Sequence, residues 1–339
     1  MTLPGFWHGA AALSGRLDLS ILRQHIPDPA QATDNELSRW AVSGRHIHRL
    51  RQAQPIDDVG DWIGLSHPEY PPKLGVLPFA PPVLFYRGSL DRLREPSVAI
   101  VGARRSSQRA RDTAAALARD LAQSGLTIVS GLAYGVDESA HRAAPSKTIA
   151  VLGQGLAQPL SRRQSGLVEE IIRSGGLVVT EFLPSTPASR RTFPQRNRVI
   201  SGLSRGTIVV EATLQSGSLG TARHALSQGR EVMAVPGHPM ESTAQGCNHL
   251  LADGAALIRD ADDVLSTLSI DRQTHRREPI TNPQQLRVIE ALRSGESVDH
   301  VVTQSGLDLP TVVVLVDALE LTGHVVRLPG ERLQLRAWS

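Results

Sequence analysis

Seven short β-rich runs recur through the middle of the chain, and most of them break at a loop of glycine and other small residues. From Ser97 onward they read SVAIVG, LTIVSG, TIAVLG, LVVTE, GTIVVEA, EVMAVPG and AALI, the last lying before Leu265. Their apolar residues are continuous rather than alternating. Such a strand is buried on both faces, which requires helices above and below the sheet. The segments between runs, such as Arg109 to Gln123 and Leu219 to Gln228, have the length and Ala/Leu/Arg content of crossover helices. The expected core is therefore α/β, a doubly wound parallel sheet.

At 339 residues the chain is long enough for two or three domains. Residues 1–65 carry helical apolar spacing (Leu17, Leu19, Ile21, Leu22; Leu37, Trp40, Ala41, Ile47) with breakers at Pro27 and Pro29, which predicts a small helical domain. The core is expected over 66–270. It opens on an extended connector, 66–96, whose stretch YPPKLGVLPFAPPVLFYRG ends in a strand. Residues 271–282, DRQTHRREPITN, are polar and charged and read as a linker. Over 283–339 the order is a helix around Gln285 to Leu292, another around Val298 to Ser305, a turn at Gly306, a helix from Thr311 to Leu321, and a hairpin. That order predicts a winged helix.

No apolar run approaches the roughly 18 residues of a membrane span, and no basic segment followed by a continuous apolar stretch opens the chain. A cytoplasmic protein with no membrane partner is the expectation. Cys247 is the single cysteine, which excludes an internal disulfide, and His238 and His249 lack metal-ligand spacing beside it. A structural Cys247, no metal and no cofactor are expected. Net charge is only +3, but the basic residues are almost all arginine, with Lys73 and Lys147 the exceptions. Arginine suits bidentate phosphate contacts. A GC-rich genome produces the same bias, so position has to decide.

In open α/β folds the strand-end loops share the edge where ligands bind. Here they are Gly102-Ala103-Arg104-Arg105, Ser130-Gly131-Leu132-Ala133-Tyr134-Gly135, Gly153-Gln154-Gly155, Glu181 to Pro184, Glu211 through Ser216-Gly217-Ser218, and Pro236-Gly237-His238. Small residues let backbone N–H groups approach an oxyanion, and a following helix N-terminus adds its dipole. The expected ligand is rich in phosphate. Gly153-Gln154-Gly155 lacks the third glycine of a dinucleotide fingerprint, and no GxxxxGK[ST] occurs, which argues against a nicotinamide dehydrogenase or a P-loop ATPase. Two longer strings are more specific. Phe193-Pro194-Gln195-Arg196-Asn197-Arg198 places two arginines and an amide at a helix start. Glu211 to Ala222 reads as strand, small-residue loop and helix start.

With these strings in place the chain resembles the DprA/Smf family of DNA-processing proteins over about residues 62–265. VGARR, SGLAYGVDESAH, TIAVLGQGL, FPQRNRVISGLSRG, VVEATLQSGSL, VPG and GCNHLLADGA occur in the family's order. The resemblance implies a Rossmann-like core that binds single-stranded DNA, protects it and hands it to a RecA-type recombinase in natural transformation, usually as a homodimer, without being an enzyme. It places Arg104, Ser130, Gly131, Arg196 and Arg198 in a basic DNA-binding pocket and Gly217 and Ser218 in a phosphate-binding turn. It also implies that residues 1–65 are SAM-like. Gly102, Arg105, Gly135, Asn197 and Ser216 belong to the same strings and complete the expected nucleic-acid site.

The chain departs from the family where GLAQPLSRRQSGL lacks the usual tyrosine-proline pair, and Arg162 or Arg163 is expected to supply the charge there. Single strands also need aromatic faces for stacking. Only Tyr134, Phe182 and Phe193 occur between 97 and 265, and either Tyr134 or Phe193 could serve. Asp137 and His141, four apart, are expected to be structural: a helix-start Asp satisfies free N–H groups, and the His completes a hydrogen bond.

Two other functions compete. Phosphoribohydrolases of similar fold carry a catalytic Glu three residues after a Gly-Thr pair. Here Gly220-Thr221 is followed at that spacing by His224, so no catalytic residue is expected. A winged helix can also regulate duplex DNA through its second helix. LPTVVVLVDALEL has no Arg, Lys, Asn or Gln for that purpose, which predicts a protein contact instead.

Overall fold

The computed structural model of the protein describes residues 1–19, 28–39, 42–270, 282–292, 295, 297–321, 325–328 and 332–335. Ile21, Leu22, Pro27, Trp40 and Ala41, and all of the expected linker except Asn282, lie outside the described residues.

The chain opens with helices α1 (Gly5–Ala12), α2 (Asp34–Arg39) and α3 (Gly44–Gln52), then strand β1 (Asp61–Gly64), the single turn α4 (Pro72–Gly75) and β2 (Val83–Gly88). The seven sequence runs follow as β3 (Ser97–Val101), β4 (Thr127–Ser130), β5 (Thr148–Val151), β6 (Leu177–Thr180), β7 (Gly206–Val209), β8 (Glu231–Ala234) and β9 (Ala256–Leu257). The helices between and after them are α5 (Gln108–Gln123), α6 (Val136–Ala143), α7 (Arg162–Arg173), α8 (Thr192–Leu203), α9 (Ser218–Ser227), α10 (Gln245–Ala252) and α11 (Ala261–Thr267).

One nine-stranded sheet results, in the order β1-β2-β6-β5-β4-β3-β7-β8-β9. β3 to β9 pair in parallel, as continuous apolar strands require. The connector does more than connect: β2 adds antiparallel to the edge at β6, with Phe85 opposite Thr180, and β1 adds antiparallel to β2. β1 falls in the stretch expected to be wholly helical. Its Trp62 and Ile63 lie opposite Phe85 and Leu84.

Alternate residues of each strand feed two cores. Val98, Ile100, Ile128 and Ile208 pack against Ala114, Leu117 and Leu121 of α5. Ala99, Val101, Val129 and Ile149 face the other way, toward Val199, Ile200 and Leu203 of α8. The second core continues without a break into Trp7, Leu17, Leu37, Ile47 and Leu50. Burying each such side chain is worth about 1.5–3 kcal/mol, so the N-terminal helices are held by the core they share. Residues 1–65 accordingly fall within one compact unit, Met1–Gln273, and do not form a domain apart.

The second unit, Thr274–Ser339, holds α12 (Pro283–Leu292), α13 (Val298–Ser305), α14 (Leu309–Leu321) and the hairpin of β10 (Val325–Leu328) with β11 (Arg332–Leu335). Gly306, at φ 70°, ends α13 in the left-handed conformation that glycine tolerates best. Val288, Val301, Val312, Val316, Leu319, Val325 and Leu333 form a separate small core.

Candidate functional site

The strand order reverses beside β3. From β3 the chain steps outward through β4, β5 and β6, then returns to place β7 on β3's other side. Loops leaving β3 and β7 diverge there and open a crevice at the carboxyl ends of the strands. A cavity of about 580 Å³ occupies it. Its wall is made by Gly102 and Arg104 after β3, Ala133 and Asp137 after β4, Gln215 to Ser218 after β7, Arg223 and His224 of α9, and Arg190 with Phe193, Pro194, Arg196 and Asn197 at the start of α8. The loops after β5 and β8, and Glu181 to Pro184 after β6, share the sheet edge but do not line the cavity.

Hydrogen bonds fix the wall. Glu211, just past β7, accepts from the Ser107 amide (3.0 Å) and hydroxyl (2.6 Å), while the Ser107 hydroxyl accepts from the Ala110 amide as the N-cap of α5. The carboxylate thus pins the β3–α5 loop, and with it Arg104, beside the β7 loop. Arg104 lies over the Phe193 ring, its guanidinium carbon 5.0 Å from the centroid. Such a cation–π contact is worth about 0.5–1 kcal/mol at an exposed site and orders a long side chain. Opposite, Gly217 caps the ten-residue helix α9, and a Cβ there would meet nothing within 4 Å. The Ser216 and Ser218 hydroxyls are 2.7 Å apart, and the Asn197 side-chain amide donates to the Gly217 carbonyl (3.3 Å). The Ser218 amide bonds the Ser216 hydroxyl (3.4 Å) and the Leu219 and Gly220 amides bond the Ser216 and Gly217 carbonyls, so what this helix start offers an anion is its dipole and the arginines beside it.

Four of the expected residues are placed otherwise. Ser130 is fully buried, its hydroxyl donating to the Ile100 carbonyl (2.6 Å). The Gly131 amide donates to Asp137 (3.1 Å), and a Cβ on Gly131 would sit 2.7 Å from the Arg196 guanidinium. Neither residue is open to a ligand. Arg196 is 4% exposed and donates to the carbonyls of Gly131 (2.7 Å) and Val151, which ties the ends of β4 and β5 to α8. Arg198 points away from the cavity and pairs with the buried Glu181, which also accepts from Gln195 (3.2 Å) and the Ser14 hydroxyl. Adjacent positions on α8 project about 100° apart, so one RNR string supplies a strut, a cavity amide and an anchor to the N-terminal segment.

The SGLAYG loop is a brace. Leu132 holds φ 55°, unusual for a branched residue, and is kept there by burial and by Gln164 of α7 donating to its carbonyl (3.0 Å). Tyr134 donates to Ser161 (2.8 Å), the N-cap of α7, and Arg163 lies over its ring at 5.8 Å. Arg163 also pairs with the buried carboxylate of Glu138 (2.6 Å). Gly135 is at φ 80°, where a Cβ would come within 2.5 Å of the Ala103 carbonyl. Arg105 and Arg162 are exposed outside the cavity wall.

Burial shifts four titratable groups in and behind the wall. Asp137 accepts from the Gly131 and Ala133 amides, and burial raises its carboxyl to about 6 despite the nearby Arg196. Burial pulls the Arg196 guanidinium down to about 10, against the opposing pull of Asp137. His141 bonds Thr148 of β5 (2.7 Å), and burial lowers its imidazole to about 3. Cys247 is buried, donating to the Val209 carbonyl (3.4 Å), and burial pushes its thiol up to about 12.

Sequence reasoning missed Arg190 and Arg223. Both are exposed on the cavity wall, and neither is ion-paired among the described residues. Arg223 could have been found as the residue two after the Gly-Thr pair, one turn into the helix that follows the phosphate turn.

Residues 61–269 match the family model described as DNA recombination-mediator protein A, and residues 272–331 match that of the DprA winged helix domain. The chain is 38% identical over 281 residues to Protein Smf of Escherichia coli strain K12, spanning 79% of this chain and 75% of that one. It is 42% identical over 200 residues to the DNA processing protein DprA of Streptococcus pneumoniae, spanning 58% and 70%. Among solved structures, that of DNA processing protein A from Streptococcus pneumoniae superposes with a TM-score of 0.63 at 33% identity, over 78% of this chain and 98% of that one. DNA processing protein A from Helicobacter pylori, described for its single-stranded DNA binding mode, gives a TM-score of 0.56 at 31% identity, over 62% and 96%.

Proposed function

The chain belongs to the DNA recombination-mediator protein A (DprA) family of DNA-processing proteins, and from that premise we propose that it binds single-stranded DNA in the crevice between β3 and β7. The observation that carries this reading is the charge of the wall. Arg104, Arg190 and Arg223 reach the cavity without ion-pair partners among the described residues, and Arg196 stands behind them. The one carboxylate on the wall, Asp137, is occupied by two backbone amides. A polyanion entering this crevice meets guanidinium groups and the amino end of α9, and releases its counterions. The ligand is read as single-stranded because its bases must be free to stack. Phe193 carries Arg104 on its face, and Tyr134 is 42% exposed at the side of the same loop system.

Binding, not hydrolysis, fits these groups. His224 takes the place of a catalytic carboxylate, and burial with the nearby Arg198 lowers its imidazole, against a bond to the Pro194 carbonyl that raises it. Protection of the strand, delivery to a RecA-type recombinase and homodimerisation are part of the same proposal, and membership of the family supports them. The apolar helix α14, with Val314 66% exposed, suits a protein contact better than duplex DNA. Titrating labelled oligo-dT at several salt concentrations tests the site: Arg190→Ala with Arg223→Ala should weaken binding and flatten the salt slope by about 1.4, at roughly 0.7 for each phosphate lost. Unchanged affinity and slope would refute it. Sedimentation at micromolar concentration tests the dimer, which a monomer there would contradict.

A further inference from the structure

We propose that the N-terminal helices carry a second contact surface for single-stranded DNA, formed by Arg16, Arg45 and Arg49, which takes up the strand where it leaves the cavity. The proposal rests on the reading of the cavity as a single-strand site and extends it to chain elements outside the family's matched core.

The first observation is an imbalance in how charges are used. Of the six carboxylates among residues 1–60, four are engaged by neighbours in the same segment: Asp28 accepts from the Ala30 amide, Glu36 from Thr33, Asp57 from the Thr2 hydroxyl, and Asp34 pairs with Arg51. Arg16, Arg45 and Arg49 are exposed and make no ion pair among the described residues. Arg45 and Arg49 lie one helical turn apart on α3, whose opposite face buries Ile47 and Leu50. Like charges at that spacing repel and mildly destabilise an isolated helix. Two unpaired guanidinium groups on one face therefore suit an anion outside the protein better than they suit the helix itself.

The second observation is continuity with the cavity. Gly15, next to Arg16, lies so close to α8 that a Cβ on it would be 2.8 Å from the Gln195 side-chain amide, which also donates to the Ser14 carbonyl (2.9 Å). Gln195 sits between Pro194 and Arg196, both on the cavity wall. Arg190, on that wall, and Arg191 are exposed just before and at the start of α8. From this turn α1 runs back to α3, where a Cβ on Gly9 would be 3.0 Å from the Arg49 carbonyl. The basic groups thus follow one another from the cavity, around the start of α8, to Arg16 in the turn after α1 and to Arg45 and Arg49 on α3. Single-strand grooves take about 4–16 nucleotides, so a strand longer than the cavity has backbone left to meet them.

The test uses the full chain and two oligo-dT probes, one of about six nucleotides that the cavity can hold and one of about thirty, each titrated by fluorescence anisotropy at several salt concentrations. Replacing all three arginines (Arg16→Ala, Arg45→Ala, Arg49→Ala) should leave the short probe's affinity unchanged. The long probe should weaken by about tenfold or more and its salt slope fall by about 2, at roughly 0.7 for each lost phosphate contact. Restoring charge with the three lysine substitutions should recover most of the slope. An unchanged affinity and slope for the long probe would overturn the proposal and leave the face to an acidic protein partner. Equal loss on both probes, which marks damage to the fold, would overturn it as well. The Arg190→Ala, Arg223→Ala pair separates the two readings, since loss on neither probe there sinks the cavity and not the N-terminal surface.

Discussion

Arg196 shows how a residue type can be read correctly and its role wrongly. A guanidinium in a basic string is an obvious phosphate ligand, yet this one is buried and bonded to two strand-end carbonyls. Removing it would take their guanidinium donor from the buried Gly131 and Val151 carbonyls, and leaving a buried polar group unsatisfied costs about 1–3 kcal/mol. Arg196→Ala should therefore lower the melting temperature sharply, and any loss of DNA binding in it reports the fold. Arg104→Ala should do the reverse, keeping stability within about 0.5 kcal/mol as exposed substitutions do while weakening the oligonucleotide complex. Thermal melts beside titrations distinguish the two.

Asp137 and His141 make a residue-level prediction about pH. Asp137 is raised to about 6 from 3.8, so between those values the folded state holds more of its proton than the unfolded state, and stability falls as pH rises. His141 is lowered to about 3 from 6.5, so over its window the unfolded state holds more proton, and stability rises with pH. From pH 4 to 6 the two nearly cancel. Asp137→Asn should leave His141 unopposed, so that stability climbs through that range by about 1.4 kcal/mol per pH unit relative to the parent. Parallel urea curves for the two proteins across pH 4–6 would contradict this.

At the scale of elements, the strand-end loops divide into braces and cradles, although their sequences look alike. SGLAYG is a brace in which nearly every polar group is used internally. QSGSLG is a cradle whose glycine faces open space. Gly135→Ala should cost about 1–3 kcal/mol, because its positive φ and the Ala103 carbonyl both resist a side chain. Gly217→Ala should leave the melting temperature unchanged, since its Cβ meets nothing. Equal destabilisation of both variants would refute the distinction. The strands themselves were legible because period and β-branching are local properties. β1 was not, because four residues inside a helical pattern become a strand only when β2 offers them an edge.

At the scale of the whole molecule, the chain divides into Met1–Gln273 and Thr274–Ser339, each with its own apolar core. A chain ending at Ile270 should keep its affinity for a short oligonucleotide, and calorimetry of the full chain should show the winged-helix unit melting separately. A single two-state transition would count against independent units. The joining of the N-terminal helices to the sheet could not be read in advance. Their apolar faces are visible in the sequence, but what covers them is a choice between partners distant in the chain.

The sequence by itself determined the α/β core, its parallel strands, the winged helix and the family, because each is written in local periodicity or in motif order along the chain. It also marked the crevice through the loops after β3 and β7. Only the tertiary structure decided which polar groups in those loops remain free. A guanidinium or an amide binds a ligand only if the fold has not already satisfied it, and that depends on neighbours brought together from far along the chain. Arg196 and Arg198 were claimed by such neighbours; Arg190 and Arg223 were left to the cavity.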